Sequence, residues 1–253
     1  MTVFKNLKTW GLVGSLALLT ACGGGGGGGT SAVNVPAEGV WTGTTSSGYA
    51  IDVLVLENNQ FWSMFGTRSG GALSVVGFDQ GSGSVNGSTF SGNLLEVLYT
   101  GATGTGSITA TTVANTSLNG SASYNNGNTS TFNLAPPTSS AYNYNTMANL
   151  STIQGNWSGS LLSGAAATVS ITSGGAITGT SGGCSFTGTA TPRASGKNVF
   201  DASVTFGASP CALPNQTATG IALSYTTTAN QTQLLVSVVD SGRTTGTMFF
   251  AHR

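Results

Sequence analysis

Charge is what this chain has least of. Seven of its 253 residues are Lys or Arg and seven are Asp or Glu, 6% in all, against roughly 25% in an ordinary soluble domain. Seven scattered bases exclude a nucleic-acid binder that works by neutralising phosphates. Histidine is scarcer still, with His252 alone, so no His-based metal centre and no Ser-His-Asp or Cys-His arrangement is expected. Lys197 is the one lysine after Lys8, and Ala194 stands where a Ser-x-x-Lys nucleophile needs serine. The carboxylates Glu38, Asp52, Glu57, Asp79, Glu96, Asp201 and Asp240 are spread singly, without the spacing of a calcium loop. The chain is therefore read as non-enzymatic, with no cofactor, no metal and no nucleic-acid partner.

Gly, Ser, Thr and Asn fill the gap, and they form turns and strands rather than helices. A helical bundle is excluded, while 39% apolar residues suffice for a buried core. Gly39-Val40-Trp41-Thr42-Gly43 recurs 116 positions later as Gly155-Asn156-Trp157-Ser158-Gly159. Each copy opens about one hundred residues of period-two pattern, such as Val169 with Ile171, or Leu234, Val236 and Val238. Asn86-Gly87, Asn119-Gly120, Asn126-Gly127 and Ser241-Gly242 are read as turns. The expected fold is all-β, with two tandem antiparallel β-barrel or β-sandwich domains at 39–137 and 154–253. Between them, 138–153 is a linker that begins after Pro136-Pro137 and carries a short helical turn near Met147, Leu150 and Ile153. A transmembrane barrel is disfavoured, because most candidate strands are under nine residues and internal glycines replace an aromatic girdle.

The clearest hairpin runs from Ile51 to Gly66 around Asn58-Asn59. With those two residues as the loop, Val55 faces Trp62 and Leu56 faces Phe61. Ile51, Val53, Val55, Trp62 and Met64 then share one face, and Leu54, Leu56, Phe61 and Phe65 the other. Both faces are largely apolar, so the second is covered by the other domain or a chain segment, or else is a patch for a ligand or partner.

At the N-terminus, Lys5 and Lys8 precede an apolar run from Trp10 to Ala21, the pattern of an export signal and too short to span a bilayer. It ends in Leu19-Thr20-Ala21-Cys22, which resembles the bacterial lipobox. The resemblance implies removal of residues 1–21 and acylation of Cys22, palmitate included, which anchors the chain to membrane. Gly23 follows instead of Asp, which in Gram-negative lipoproteins favours the outer membrane; the face of that membrane is left open. Residues 22–38, with seven consecutive glycines, are read as a tether with a reach of roughly 20–25 Å.

The Gly-x-Trp openings resemble those of lipocalins and avidin-like (calycin-like) barrels, in which the Trp closes one barrel end. The stretch Gly155 to Thr180 is similar to the first hairpin of an avidin, although Trp157 is the one tryptophan of the second half, so biotin binding is not carried over. In an exported protein, Cys184 and Cys211 are read as a disulfide closing a loop of about 28 residues, worth about 3.5 kcal/mol. Arg193 and Lys197 mark a hairpin tip, either a small cationic spot or a solvated turn.

The functional expectation is a lipid-anchored envelope lipoprotein acting as a ligand-binding or protein-interaction module, its partner a protein or a small apolar ligand. The binding candidates are Trp41, Trp157, Trp62, Leu54, Phe61 and Phe65. The alternative is a structural envelope or surface-adhesion protein without a small-molecule ligand. A lined cavity containing Trp41 or Trp157 favours the first reading, a barrel filled by side chains counts against it, and carboxylates clustered in a cleft would revive a hydrolase.

Overall fold

The structure, a computed structural model, describes residues 33–69, 72–138, 142–226 and 230–253. The expected signal peptide, Cys22 and the glycine run lie outside the described residues. Strands β1 (Gly39–Thr45), β2 (Ala50–Val55), β3 (Gln60–Ser69), β4 (Ala72–Asn86), β5 (Thr89–Leu98), β6 (Thr103–Val113), β7 (Ser117–Tyr124) and β8 (Thr129–Ala135) form an antiparallel meander, which closes where β8 pairs with β1. A second meander repeats the plan: β9 (Gly155–Leu161), β10 (Ala166–Ile171), β11 (Ala176–Ser181), β12 (Cys184–Pro192), β13 (Phe200–Phe206), β14 (Thr217–Thr226), β15 (Thr232–Asp240) and β16 (Gly246–His252), with β16 closing on β9. The protein is thus all-β, and its two sheets are closed eight-stranded barrels. In the connection a 3-10 turn, Leu150–Thr152, is capped by the Asn149 side chain, while Met147 of the expected turn is exposed.

The period-two pattern sets which way each side chain points. Along β6, Thr103, Thr105, Ser107, Thr109 and Thr111 are exposed, whereas Ala110 is buried and Ile108 packs against the core. On this strand hydroxyls face outward where a lipid-facing band would need apolar groups. The Gly-x-Trp repeat has a local cause. Gly39 (φ +138°) and Gly155 (φ +114°) adopt backbone angles open to glycine. In each copy the indole N–H four residues after its acceptor is satisfied: Trp41 donates to the Ala37 carbonyl at 2.9 Å and Trp157 to the Ile153 carbonyl at 2.7 Å. The Arg253 guanidinium lies 4.1 Å over the Trp157 ring.

Several expectations need correction. The hairpin pairs Val55 with Phe61 and Leu54 with Trp62, one residue away from the register expected. Asn59 adopts φ +62°, so Glu57, Asn58 and Asn59 form a three-residue loop. A one-residue slip exchanges faces: Phe61 and Phe65 join Ile51, Val53 and Val55 in the core of the first barrel, while Trp62 joins Leu54 and Leu56 outside it. Asn119-Gly120 lies within β7 rather than in a turn; a Cβ on Gly120 would meet the Ala110 backbone at 2.6 Å, so the residue permits close strand approach. The described part of the expected 22–38 tether is held from Asn34 onward. Gly87 N–H donates to Asn34 Oδ1, Val35 N–H donates to the Gly87 carbonyl, and Ala37 is fully buried.

The covered second face of the hairpin lies against the other barrel. Leu54, Leu56, Trp62, Phe78, Leu95 and Val97 of the first barrel form one buried cluster with Ile221, Val239 and Met248 of the second, together with Tyr144, Leu162 and Val199. Leu56, Phe78 and Val199 are at 0% exposure, and each such residue contributes roughly 1.5–3 kcal/mol. Arg193 is no solvated tip: its side chain is 11% exposed and bonds Glu57 of the first barrel as well as Asp201. Burial disfavours the Arg193 charge, and the two carboxylates more than restore it. Lys197 pairs with Glu38 at 2.6 Å and lies over the Tyr144 ring.

Candidate functional site

The interior of the first barrel is largely apolar, and its one buried charged group among the described residues lies on β4. Gly77 and Gly81 on β4 leave room for the Phe65 and Phe61 rings, each of which would lie within 2.5 Å of an added Cβ. Between them Asp79 points inward beside Ser63 of β3. Ser63 Oγ donates to Asp79 Oδ2 at 2.8 Å, and the Asp79 N–H donates back to Ser63 Oγ at 3.2 Å. Asp79 Oδ1 is buried without a hydrogen-bond partner among the described residues. Directly across the β4–β5 ladder stands Glu96, hydrogen-bonded by Tyr124.

Removal from water dominates the electrostatics. Burial pushes Asp79 up to about 7, with the Glu96 charge adding to the rise and the Ser63 bond opposing it. Burial raises Glu96 as well, against the Tyr124 hydrogen bond. Tyr124 is raised by burial and then by both carboxylates. Asp79 is therefore near the midpoint of its titration at neutral pH, and its neutral form is the one the barrel accommodates.

Asp79, Ser63 and Tyr124 border a cavity of about 50 Å³ whose remaining wall includes Val53, Phe61, Leu94 and Phe132. That volume holds a few water molecules, against roughly 300–1,000 Å³ for a drug-sized ligand. Asp79 and Glu96 face each other across the ladder after all, but the cavity that Asp79 borders is too small for a saccharide. Sequence reasoning missed this pair although a signal was present. The Asn86-Gly87 turn sets the register of β4 on β5, and a two-residue loop at either 86–87 or 87–88 places Asp79 and Glu96 on the same face. The structure uses 87–88, with Gly87 at φ +60°.

The six expected binding residues do not converge. Trp41 and Trp157 are buried, each with its indole satisfied, and neither borders the cavity. Phe61 borders it, Phe65 packs in the same core, and Leu54 and Trp62 lie in the cluster between the barrels. In the second barrel, Trp157, Val169, Ile171, Phe200, Leu234 and Phe249 belong to one continuous inward cluster. Cys184 and Cys211 are bonded, tying the start of β12 to the β13–β14 connection. Among the described residues no three or more His, Cys, Asp or Glu side chains come together.

No protein-family model matches the chain, and no curated protein matches it in sequence. Among solved structures, the chain is similar to a protein of unknown function from the DUF3598 family of Nostoc punctiforme PCC 73102, at 15% identity and a TM-score of 0.28, over 85% of this chain and 94% of that one. It is also similar to the isotype 1 transferrin binding protein B of serogroup B Neisseria meningitidis, at 10% identity and a TM-score of 0.26, over 81% of this chain and 65% of that one. Nothing about a ligand or a partner follows from likenesses this loose.

Proposed function

We propose that the protein is a non-enzymatic, lipid-anchored interaction module of the bacterial outer membrane, which meets its partner on the outer surface of its barrels rather than inside them. One observation carries the reading. The barrel interiors are occupied largely by their own side chains, while away from the apolar seam between the barrels the outward strand faces present rows of uncharged hydroxyls and amides. Ser91, Thr109, Ser121 and Thr131 stand side by side across β5 to β8. Asn156, Ser170, Thr178, Thr187, Thr205 and Thr217 do so across β9 to β14. Neutral polar groups of this kind are cheaper to desolvate than charges, which are depleted from interface centres.

The anchor part of the reading is supported by Leu19-Thr20-Ala21-Cys22 and the glycine run. Cells fed an alkyne analogue of palmitate should label this chain, and Cys22→Ser should abolish the label and release the protein from the outer-membrane fraction. A Cys22→Ser chain that stays in that fraction, or an unlabelled parent chain, overturns the anchored reading.

A further inference from the structure

A second concavity lies on the outside, where the β15–β16 turn leans on the first barrel. This open groove of about 370 Å³ is bordered by Asn93, Thr105, Ser107 and Asn125 of the first barrel and by Arg243 of the turn, with Leu94, Leu95 and Gly106 completing its wall. The turn is built to hold Arg243 in place. Asp240 accepts from Thr244 N–H, Thr244 Oγ1 and Thr245 N–H at 2.7–2.9 Å, and Arg243 itself adopts φ +52°, uncommon for a residue with a side chain. Its guanidinium crosses to the first barrel and spends one donor on the Gln80 carbonyl at 2.7 Å. No carboxylate pairs with it among the described residues, unlike Arg193. Thr105 Oγ1 and Asn125 Nδ2 are already joined at 2.7 Å, which fixes that wall of the groove.

We infer that this groove binds a saccharide unit bearing a carboxylate, with Arg243 engaging the carboxylate and Asn93, Ser107 and the Thr105–Asn125 pair engaging hydroxyls. A guanidinium with free N–H donors matches a carboxylate in shape and charge, and amides and hydroxyls on adjacent strands match the repeating donors and acceptors of a sugar ring. The groove carries no acid on its rim to repel the ligand. Its position beside the hydroxyl rows deepens the proposal that partners are met on the outer surface, on which it rests.

The test is calorimetric titration of the purified full chain with trigalacturonate, its methyl ester and triglutamate. Trigalacturonate should bind. Neutralising its carboxylates as methyl esters, or replacing Arg243 in R243Q, should weaken binding at least about tenfold, the effect of losing one charged hydrogen bond. Because Arg243 also bridges the barrels, Ser107→Glu serves as the second variant. Its exposed position on β6 leaves the fold untouched and places a repelling charge in the groove, so it should abolish binding. Absence of trigalacturonate binding at millimolar concentration, or binding unchanged in both variants, overturns the groove assignment. Equal binding of triglutamate overturns the saccharide and assigns the groove to acidic peptide. Trigalacturonate binding that survives both variants removes the groove but leaves the outer-surface reading standing, so the two failures are distinguishable.

Discussion

Replacing Asp79 by Asn should change how the stability of this protein depends on pH. In the folded state Asp79 titrates near 7, against an ordinary 3.8, because burial disfavours its charge. A carboxyl raised in this way stabilises fully below the unfolded value, where both states are protonated. From about pH 4 to 7 the unfolded chain releases the proton while the folded chain keeps it, so stability falls as pH rises. Above 7 the whole contribution is gone. At roughly 1.4 kcal/mol per pH unit, the gap is worth about 4 kcal/mol, a large share of the roughly 5–15 kcal/mol that holds a typical protein together. Asn is neutral at every pH, matches the protonated carboxyl in shape and still accepts from Ser63. Urea unfolding from pH 4 to 8.5 should find the two proteins equal near pH 4 and Asp79→Asn more stable by about 4 kcal/mol at pH 8. Glu96 is raised too, so adding Glu96→Gln should flatten the alkaline limb further. Glu57 and Asp240 are lowered; their stabilisation is lost on acidification in parent and variant alike, and cancels in the comparison. A stability difference that does not change with pH would refute the reasoning.

Two other perturbations test separate parts of the structure. Replacing Cys184 and Cys211 together by Ser should lower stability by about 3.5 kcal/mol, since the bond closes a span of 27 positions; an unchanged melting temperature, or free thiols at both sites in non-reducing mass spectrometry of the parent, contradicts that expectation. Arg193→Met removes the bond to Glu57 that bridges the barrels and should cost about 2 kcal/mol, read as a lower urea midpoint; an unaltered midpoint means the ion cluster adds nothing.

The fold was legible because both of its signals are local. Alternation of apolar and small polar residues dictates strands, and the twice-used Gly-x-Trp reflects one capping geometry used at Ala37 and again at Ile153. What escaped depends on single backbone angles or on partners far along the chain. Nothing in Glu57-Asn58-Asn59 compels Asn59 into a left-handed conformation, yet that one angle decided which side of β3 Trp62 occupies. Glu57 and Arg193 are 136 positions apart, and no periodicity links them; they meet because the apolar outer faces of the barrels must be hidden from water. The carboxyl pair was legible in part, through the parity of the Asn86-Gly87 turn, whereas its burial followed from which face the closed sheet turned inward.

Closure of both sheets has a consequence for a chain of this composition. Long stretches rich in Val, Thr and Ser, with almost no lysine or glutamate to act as gatekeepers, have the make-up of amyloid-forming segments. Joining β1 to β8 and β9 to β16 leaves neither sheet a lateral rim to template a foreign strand. The native ring is thus the safeguard against self-association that sparse charge fails to supply, and conditions that split either seam should turn the protein fibrillar before they leave it simply unfolded.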